Sequence, residues 1–327
     1  MRSTARCSHR NIRRVSSSAT DSLRRRPFAA ADAEALIDFC VAHGSSYDAS
    51  LLRLLMLQLT SDVAGVIVIG DGDGIALVAT VIDRVSNGAD AAGLETLGVR
   101  APPAAEAFVR LVVEPAVAFA RAGERRKLQI PLPPSVSAAG GLEQALGAAG
   151  FVHDYDSLQM RRPASVPAPA PPGPLPPGWS WATVDAARAD ATHAALIEMF
   201  RDHPATNLMP LPDFRQAIAT GAVSWKALLD GDRQDPQGRQ GRIAGLVRVV
   251  PHGVHGEIRV LGRAPAYRGQ GLGPRLMAEG LRLLAATGAG DVELSVEAAN
   301  ERALDLYRRF GFEVVTRTPV FTTSLRG

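Results

Sequence analysis

Arg268-Gly269-Gln270-Gly271-Leu272-Gly273-Pro274 is the stretch that decides how this chain is read. Three glycines at alternate positions strip the side chains from a tight turn, so its backbone N–H groups can converge on an anion with no Cβ in the way. Pro274 suits the first position of a helix, where its missing N–H costs nothing. The run behind it places Leu276, Met277, Gly280, Leu281 and Leu284 on one helical face and stops at Gly288. Such a helix aims its unpaired N–H groups and positive dipole end back at the turn, and Arg268 adds a full charge. The stretch therefore predicts a pyrophosphate cradle on a helix N-terminus.

Upstream lie a short strand at Trp179–Val184, a helix at Ala186–Phe200 and a second helix near Asp213–Ala219. Ser224–Leu229 and Ile243–Val250 read as a hairpin with a polar connection, and Val254–Leu261 continues as a third strand. Downstream, Val292, Leu294 and Val296 alternate with Glu293, Ser295 and Glu297 as in a half-buried strand. Asn300 can cap a helix at Glu301–Phe310, Gly311 suits its left-handed stop, and Phe312–Val315 and Val320–Leu325 finish as two strands. A dinucleotide fold needs G-x-G-x-x-G behind its first strand. Here the glycines run G-x-G-x-G behind several strands, and no Lys-Ser/Thr follows to make a P-loop.

Pro163–Pro177 holds eight prolines in fifteen residues and should run as a semi-rigid polyproline II spacer. It divides the chain into 27–162 and 178–327, each of ordinary domain size. The first half repeats the order of the second in weakened form. Helical patterns at Ala31–Val41 and Ser50–Leu59 precede strands at Val63–Ile69, Ile75–Ile82 and Leu94–Val99. A helix at Ala104–Ala120, a strand at Leu128–Ile130 and a helix at Leu142–Ala149 follow, the last ending in Gly150-Phe151 as the other ends in Gly311-Phe312. An internal repeat is the economical explanation. Its chemistry is not repeated: Arg100-Ala101-Pro102-Pro103 stands where the glycine turn should fall, and Leu146 stands at the position of Tyr307.

The net charge of +3 and pI of about 9.2 would suggest a nucleic-acid binder if the charge were spread over the chain. Residues 1–26 hold eight arginines and one acid, leaving 28 bases and 32 acids for the rest. The basicity thus belongs to an extension expected to lie outside the fold, and no nucleic-acid partner is expected. No apolar run reaches the roughly 18 residues of a membrane span, so no membrane partner is expected either. Cys7 and Cys40 form no framework, which suits a reduced, cytoplasmic setting. Two lysines against 34 arginines, with much alanine, resembles GC-rich bacterial usage.

The glycine turn, its helix and strand, and then Asn300-Glu-Arg-Ala-Leu-Asp-Leu-Tyr307-Arg-Arg-Phe-Gly311-Phe312 resemble the GCN5-related N-acetyltransferase (GNAT) superfamily. The tandem layout, with a Leu-Gly-x-x-Pro lead-in at Leu261–Pro265, is similar to double-domain acetyltransferases of the mycothiol synthase type. The resemblance implies a mixed α/β fold of two GNAT-like domains, the first degenerate. It implies acetyl-CoA as co-substrate, no metal, and a small-molecule amine or peptide N-terminus as acceptor, in a monomer or homodimer. The competing reading is an acyl-CoA-binding regulatory module without turnover.

By the same resemblance, Leu261, Gly262 and Arg263 would pair backbone groups with the pantetheine arm. Arg268, Gly269, Gln270, Gly271, Leu272 and Gly273 would hold the pyrophosphate. Asn300 fits two jobs, capping its helix and hydrogen-bonding the pantetheine. Tyr307 shares a helical face with Ala303 and Phe310, which suits core burial; the resemblance instead places its hydroxyl near the CoA sulfur, as an acid for the departing thiolate. Direct transfer needs a neutral amine, and Glu257 is the candidate base. It alternates with Ile258 and Val260 and so should face away from both; an exposed carboxylate paired with Arg259 is the competing role. His252 and His255 lack further ligands at metal spacing and read as a hairpin loop. His203 and Asn207 fall in the loop between the two helices, where acceptor contacts are expected.

Overall fold

The structure is a computed structural model that describes residues 23–27, 30–43, 52, 65–71, 73–86, 89–138, 140–167, 172–201, 203, 208–221, 224–234 and 240–325. The first half runs β1 (Arg24–Arg26), α1 (Ala33–Ala42), β2 (Val66–Asp71), β3 (Gly74–Ser86) and β4 (Ala89–Val99). It continues with α2 (Ala105–Phe108), a π turn (Val109–Val113), α3 (Glu114–Ala122), β5 (Lys127–Pro131), α4 (Pro134–Ser137), α5 (Leu142–Ala148) and β6 (Val152–Arg162). The second half runs β7 (Trp179–Thr183), α6 (Ala189–Phe200), α7 (Leu211–Ala219), β8 (Trp225–Gln234), β9 (Gln240–His252) and β10 (His255–Arg263). Then come α8 (Leu272–Ala285), β11 (Asp291–Glu297), α9 (Glu301–Arg309) and β12 (Glu313–Ser324).

All twelve strands join one sheet in the order β1-β2-β3-β4-β5-β12-β6-β11-β10-β9-β8-β7. Read inward from both edges, β1–β5 match β7–β11, and the two last strands have changed places. β6 pairs with β11 of the other half, and β12 pairs with β5. The only parallel neighbours among the described strands are β4 with β5 and β10 with β11, at matching places in the two halves. The repeat is therefore structural as well as sequential, and its axis runs between the antiparallel strands β6 and β12. The helix ends match in detail: Phe151 N–H donates to Leu146 O at 3.0 Å, and Phe312 N–H to Tyr307 O at 3.1 Å. Gly150 and Gly311 both sit at φ +83, where a side chain would clash with its own backbone.

Several expectations need correction. Arg24–Arg26, assigned to an extension outside the fold, form edge strand β1 against β2. Residues 1–22 and most of the helix expected at Ser50–Leu59 lie outside the described residues. The two strands expected at Phe312–Val315 and Val320–Leu325 are one strand, β12, with register shifts at Val314/Thr316 and Val320/Phe321. Pairing along β6 carries it through Pro319, whose carbonyl accepts from Leu132 N–H at 2.9 Å. Strand β6 itself went unforeseen, because VHDYDSLQMRR carries polar residues on both faces and shows no period-two pattern.

In the second half α8 and α9 cover one face of the sheet. Met277, Leu284, Leu304, Tyr307 and Phe310 pack there on Ile258, Val292, Leu294 and Met160 of the exchanged strand. Helices α6 and α7 cover the opposite face over β8 and β9, with Leu196, Met199, Phe214 and Ile218 around Trp225 and Leu246. Strand β10 runs between these two layers and leads into the glycine turn.

Candidate active site

Strands β10 and β11 pair only from His255↔Asp291 to Ile258↔Leu294. Beyond Ile258, β10 stays on β9 as far as Arg263 while β11 diverges, so one backbone edge of residues 259–263 is left unpaired among the described residues. A register shift between Ile258 and Val260 makes Arg259 a bulged residue. The bulge reverses the alternation: Gly262 faces α6, where an added Cβ would come within 2.9 Å of Met199 Sδ. Val260 therefore lies on the same face as Glu257, contrary to the expected alternation, and Ile258 faces away as expected.

The split opens onto the glycine turn. Gly269 and Gly271 sit at φ +82 and φ +70, and a Cβ added at either would meet nothing within 4 Å. These glycines are required by backbone conformation, with open space in front of them. Gly271 is the N-cap of α8, which starts at Leu272, so Pro274 occupies the third helical position rather than the first. Its missing N–H is still one of the four that a helix start leaves unpaired. Gly273 has a different reason to be small, since a Cβ there would lie 3.1 Å from Leu306 Cδ2 of α9 and 3.9 Å from Arg263 Nη1. Arg268 is exposed, and neither it nor Arg263 has an acidic partner among the described residues. The first turn of α8 carries no acid. The start of α8 thus combines unpaired N–H groups and a positive dipole end with two arginines in the chain leading up to it, a composition that favours an anion.

The segment entering the turn is tethered by a pair that the sequence did not reveal. Tyr267 Oη donates to Asp230 Oδ2 at 2.9 Å, with both residues buried, and the Trp179 ring packs edge-on to Tyr267 at 5.6 Å. The partners lie 37 positions apart with no spacing to connect them; only the β8–β9–β10 register brings them together.

Glu257, Glu293, Ser295 and Glu297 share the α6 face of the split. Glu257 Oε2 takes Arg259 Nη2 at 2.9 Å and His252 Nε2 at 3.5 Å. Glu293 is held by Gln159 and Arg161 of β6. His203, in the loop after α6, places Nδ1 3.8 Å from Glu297 Oε2. Asn207 lies outside the described residues. His252 and His255 close the β9–β10 hairpin as expected. Among the described residues no group of three or more His, Cys, Asp or Glu could hold a metal ion.

On the opposite face Tyr307 is 8% exposed, with its ring 6.2 Å from Phe312. Burial pushes its phenol up to about 12. Asn300 Oδ1 accepts from Ala303 N–H at 3.2 Å and caps α9, while its Nδ2 is left without a partner among the described residues. The first half has a similar split between β4 and β5 but a different mouth. Val99 N–H donates to His43 O at 3.2 Å, Arg100 is tied to Ile75 O and Asp71, and Pro102 and Pro103 offer no N–H. No helix among the described residues is long and apolar enough to cross a membrane.

Residues 222–312 match the Acetyltransferase (GNAT) family. The chain is 36% identical over 187 residues to the mycothiol acetyltransferase of Clavibacter michiganensis, covering 55% of this chain and 58% of that one. It is 31% identical over 204 residues to the mycothiol acetyltransferase of Frankia alni, covering 57% and 56%. The match thus spans somewhat over half the length of these curated relatives. Among solved structures, a GCN5-related N-acetyltransferase from Sphaerobacter thermophilus superposes with a TM-score of 0.60 at 21% identity, over 94% of this chain and 97% of that one. A tandem GNAT protein from the clavulanic acid biosynthesis pathway gives 0.62 at 14% identity, over 93% and 99%. The fold is a mixed α/β tandem GNAT fold.

Proposed function

The chain carries a GNAT-family domain and resembles the mycothiol acetyltransferases, and from that premise we propose that residues 178–327 transfer an acetyl group from acetyl-CoA to a primary amine in a ternary complex. The observation that carries this reading is the β10/β11 split ending in a left-handed glycine turn at the start of α8. Free N–H groups of residues 269–273, with Arg268, would take the pyrophosphate, and the open edge of Leu261–Arg263 would pair with the pantetheine amides. Asn300 would cap its helix through Oδ1 and donate to the pantetheine through Nδ2. Acetyl-CoA supplies a thioester carbonyl for the amine to attack and a thiolate to leave.

The chain's own groups then divide the proton work. Glu257 receives the proton that the ammonium must lose before it can attack. A backbone N–H near Leu261 polarises the carbonyl. Tyr307, kept protonated by burial, donates to the departing thiolate. Residues 27–162 form a degenerate partner domain, joined by the strap 163–177, and lend β6 to the acceptor side of the sheet. The acceptor is a small-molecule amine, in keeping with the names of the relatives, and the setting is the cytoplasm.

Acetyl-CoA consumption with a panel of small amines, amino sugars and N-terminal peptides tests the reading. Transfer to an amine is expected, abolished by bulky replacements at Gly271 and Gly273; unchanged turnover in those variants would sink it. The pairing of Glu257 with Arg259 favours one rival, a module that binds acyl-CoA without turnover. Stoichiometric CoA binding with no transfer to any amine would establish that rival.

A further inference from the structure

Both partners of Glu257 hold the same oxygen. Arg259 Nη2 lies 2.9 Å from Oε2, and His252 Nε2 lies 3.5 Å from that same atom. All three side chains are mostly buried, at 22% exposure for Arg259, 26% for His252 and 17% for Glu257. Their placement follows from two local features of the backbone. Arg259 is the bulged residue of β10, on the face of Glu257 at the last step before the split opens. His252 ends β9, opposite His255, where the hairpin folds it back over the strand. A carboxylate gripped at one oxygen by two donors from different strands keeps its other oxygen in a fixed direction.

We propose that Arg259 and His252 are positioning residues that clamp Oε2 of Glu257, so that Oε1 alone is presented to the acceptor ammonium. The inference rests on Glu257 being the base. The step is a proton transfer: the N–H bond of the ammonium breaks, an O–H bond forms at Oε1, and the nitrogen keeps the electron pair with which it attacks. The ion pair with Arg259, which alone would suggest an idle surface carboxylate, thereby becomes part of the site. The other charged or titratable groups facing this carboxylate are Arg248 on β9, His255 on its own strand, and Glu293 on β11. Glu293 is already engaged by Arg161 and Gln159, and His203 on the α6 side is engaged with Glu297.

The test uses the full chain with Glu257→Gln, Arg259→Gln, Arg259→Lys and His252→Gln. The acceptor is whichever of cysteamine, glucosamine or an N-terminal dipeptide the unaltered chain acetylates. Loss of the base should lower kcat about 10²- to 10⁴-fold near neutral pH. Arg259→Gln and His252→Gln should each lower kcat by about tenfold, less than the loss of the base itself, with Arg259→Lys recovering part of the loss. Acetyl-CoA affinity by calorimetry and the melting temperature should stay unchanged.

The deciding readout is the pH profile. Above the acceptor's own pKa, about 7.7–8.0 for an α-amine, the amine is already neutral and a base is not needed. The deficits of all these variants should then shrink toward zero. A deficit that stays constant with pH would mean a structural role and overturn the inference. Full activity of Arg259→Gln and His252→Gln beside an impaired Glu257→Gln would overturn the inference and leave the base in place. Full activity of Glu257→Gln would overturn the base assignment, and the absence of transfer to all three amines would overturn the activity reading.

Discussion

Replacing Gly271 by alanine is the sharpest test of the glycine turn. The residue sits at φ +70 with nothing within 4 Å of an added Cβ, so the methyl group meets no neighbour and only its own backbone. An L-residue in the left-handed region costs about 1–2 kcal/mol. The turn is exposed at Gly269, Gln270 and Gly271, so the free chain can relax it to another conformation and the strain falls on the bound state. At 1.4 kcal/mol per tenfold, acetyl-CoA affinity should drop about 5- to 30-fold. Isothermal titration calorimetry with acetyl-CoA measures this directly, and the melting temperature should barely move. Gly273→Ala is the internal comparison. Gly273 has no left-handed φ, and its Cβ would press on the end of the Leu306 side chain at 3.1 Å and lie in ordinary contact with Arg263 Nη1 at 3.9 Å. Alanine also favours a helix over glycine by about 0.5–1 kcal/mol, so this variant should bind within a few-fold of the unaltered chain. Unchanged affinity in Gly271→Ala, or a larger loss in Gly273→Ala, would refute the argument that left-handed backbone shapes the turn.

Tyr307, with its phenol raised to about 12, should contribute no basic limb to the pH–rate profile below about pH 11, and Tyr307→Phe should lower kcat without changing acetyl-CoA affinity. The same shift predicts that stability falls as pH rises past about 10, because the unfolded phenol ionises first; denaturant midpoints at pH 9 and 11 should differ less in Tyr307→Phe. Cys40 is fully buried, and burial pushes its thiol up to about 12. Iodoacetamide at pH 8 should leave it unmodified in the folded chain and label it in urea, as read by peptide mass spectrometry. Residues 178–327 expressed alone lack β6, the partner of both β11 and β12, and leave those edges bare. That fragment should aggregate or fail to fold, and adding a peptide of residues 152–162 should improve its solubility.

Local signals in the sequence account for much of this. Gly269 and Gly271, Asn300 before Ala303 and Gly311 after Phe310 each act within one turn of chain, and each is found in the conformation that its chemistry demands. Alternation at Val292–Val296 and the helical face of α8 were legible because one side of each is apolar. Strand β6 escaped for the opposite reason. Its polar face holds Glu293 through Gln159 and Arg161, so its sequence resembles a loop until β11 and β12 are beside it.

The sequence by itself determined the repeat, the fold class and the position of the one glycine turn, because these rest on backbone conformations and periodicities that neighbours in the chain impose. Tertiary structure alone decided the exchange of β6 and β12, the anchoring of Tyr267 on Asp230, and the clamping of Glu257 Oε2 by Arg259 and His252. Each of these depends on which strands lie side by side and in what register. A one-residue bulge at Arg259 is enough to change the face on which Val260 lies, and no local pattern in the chain encodes that shift.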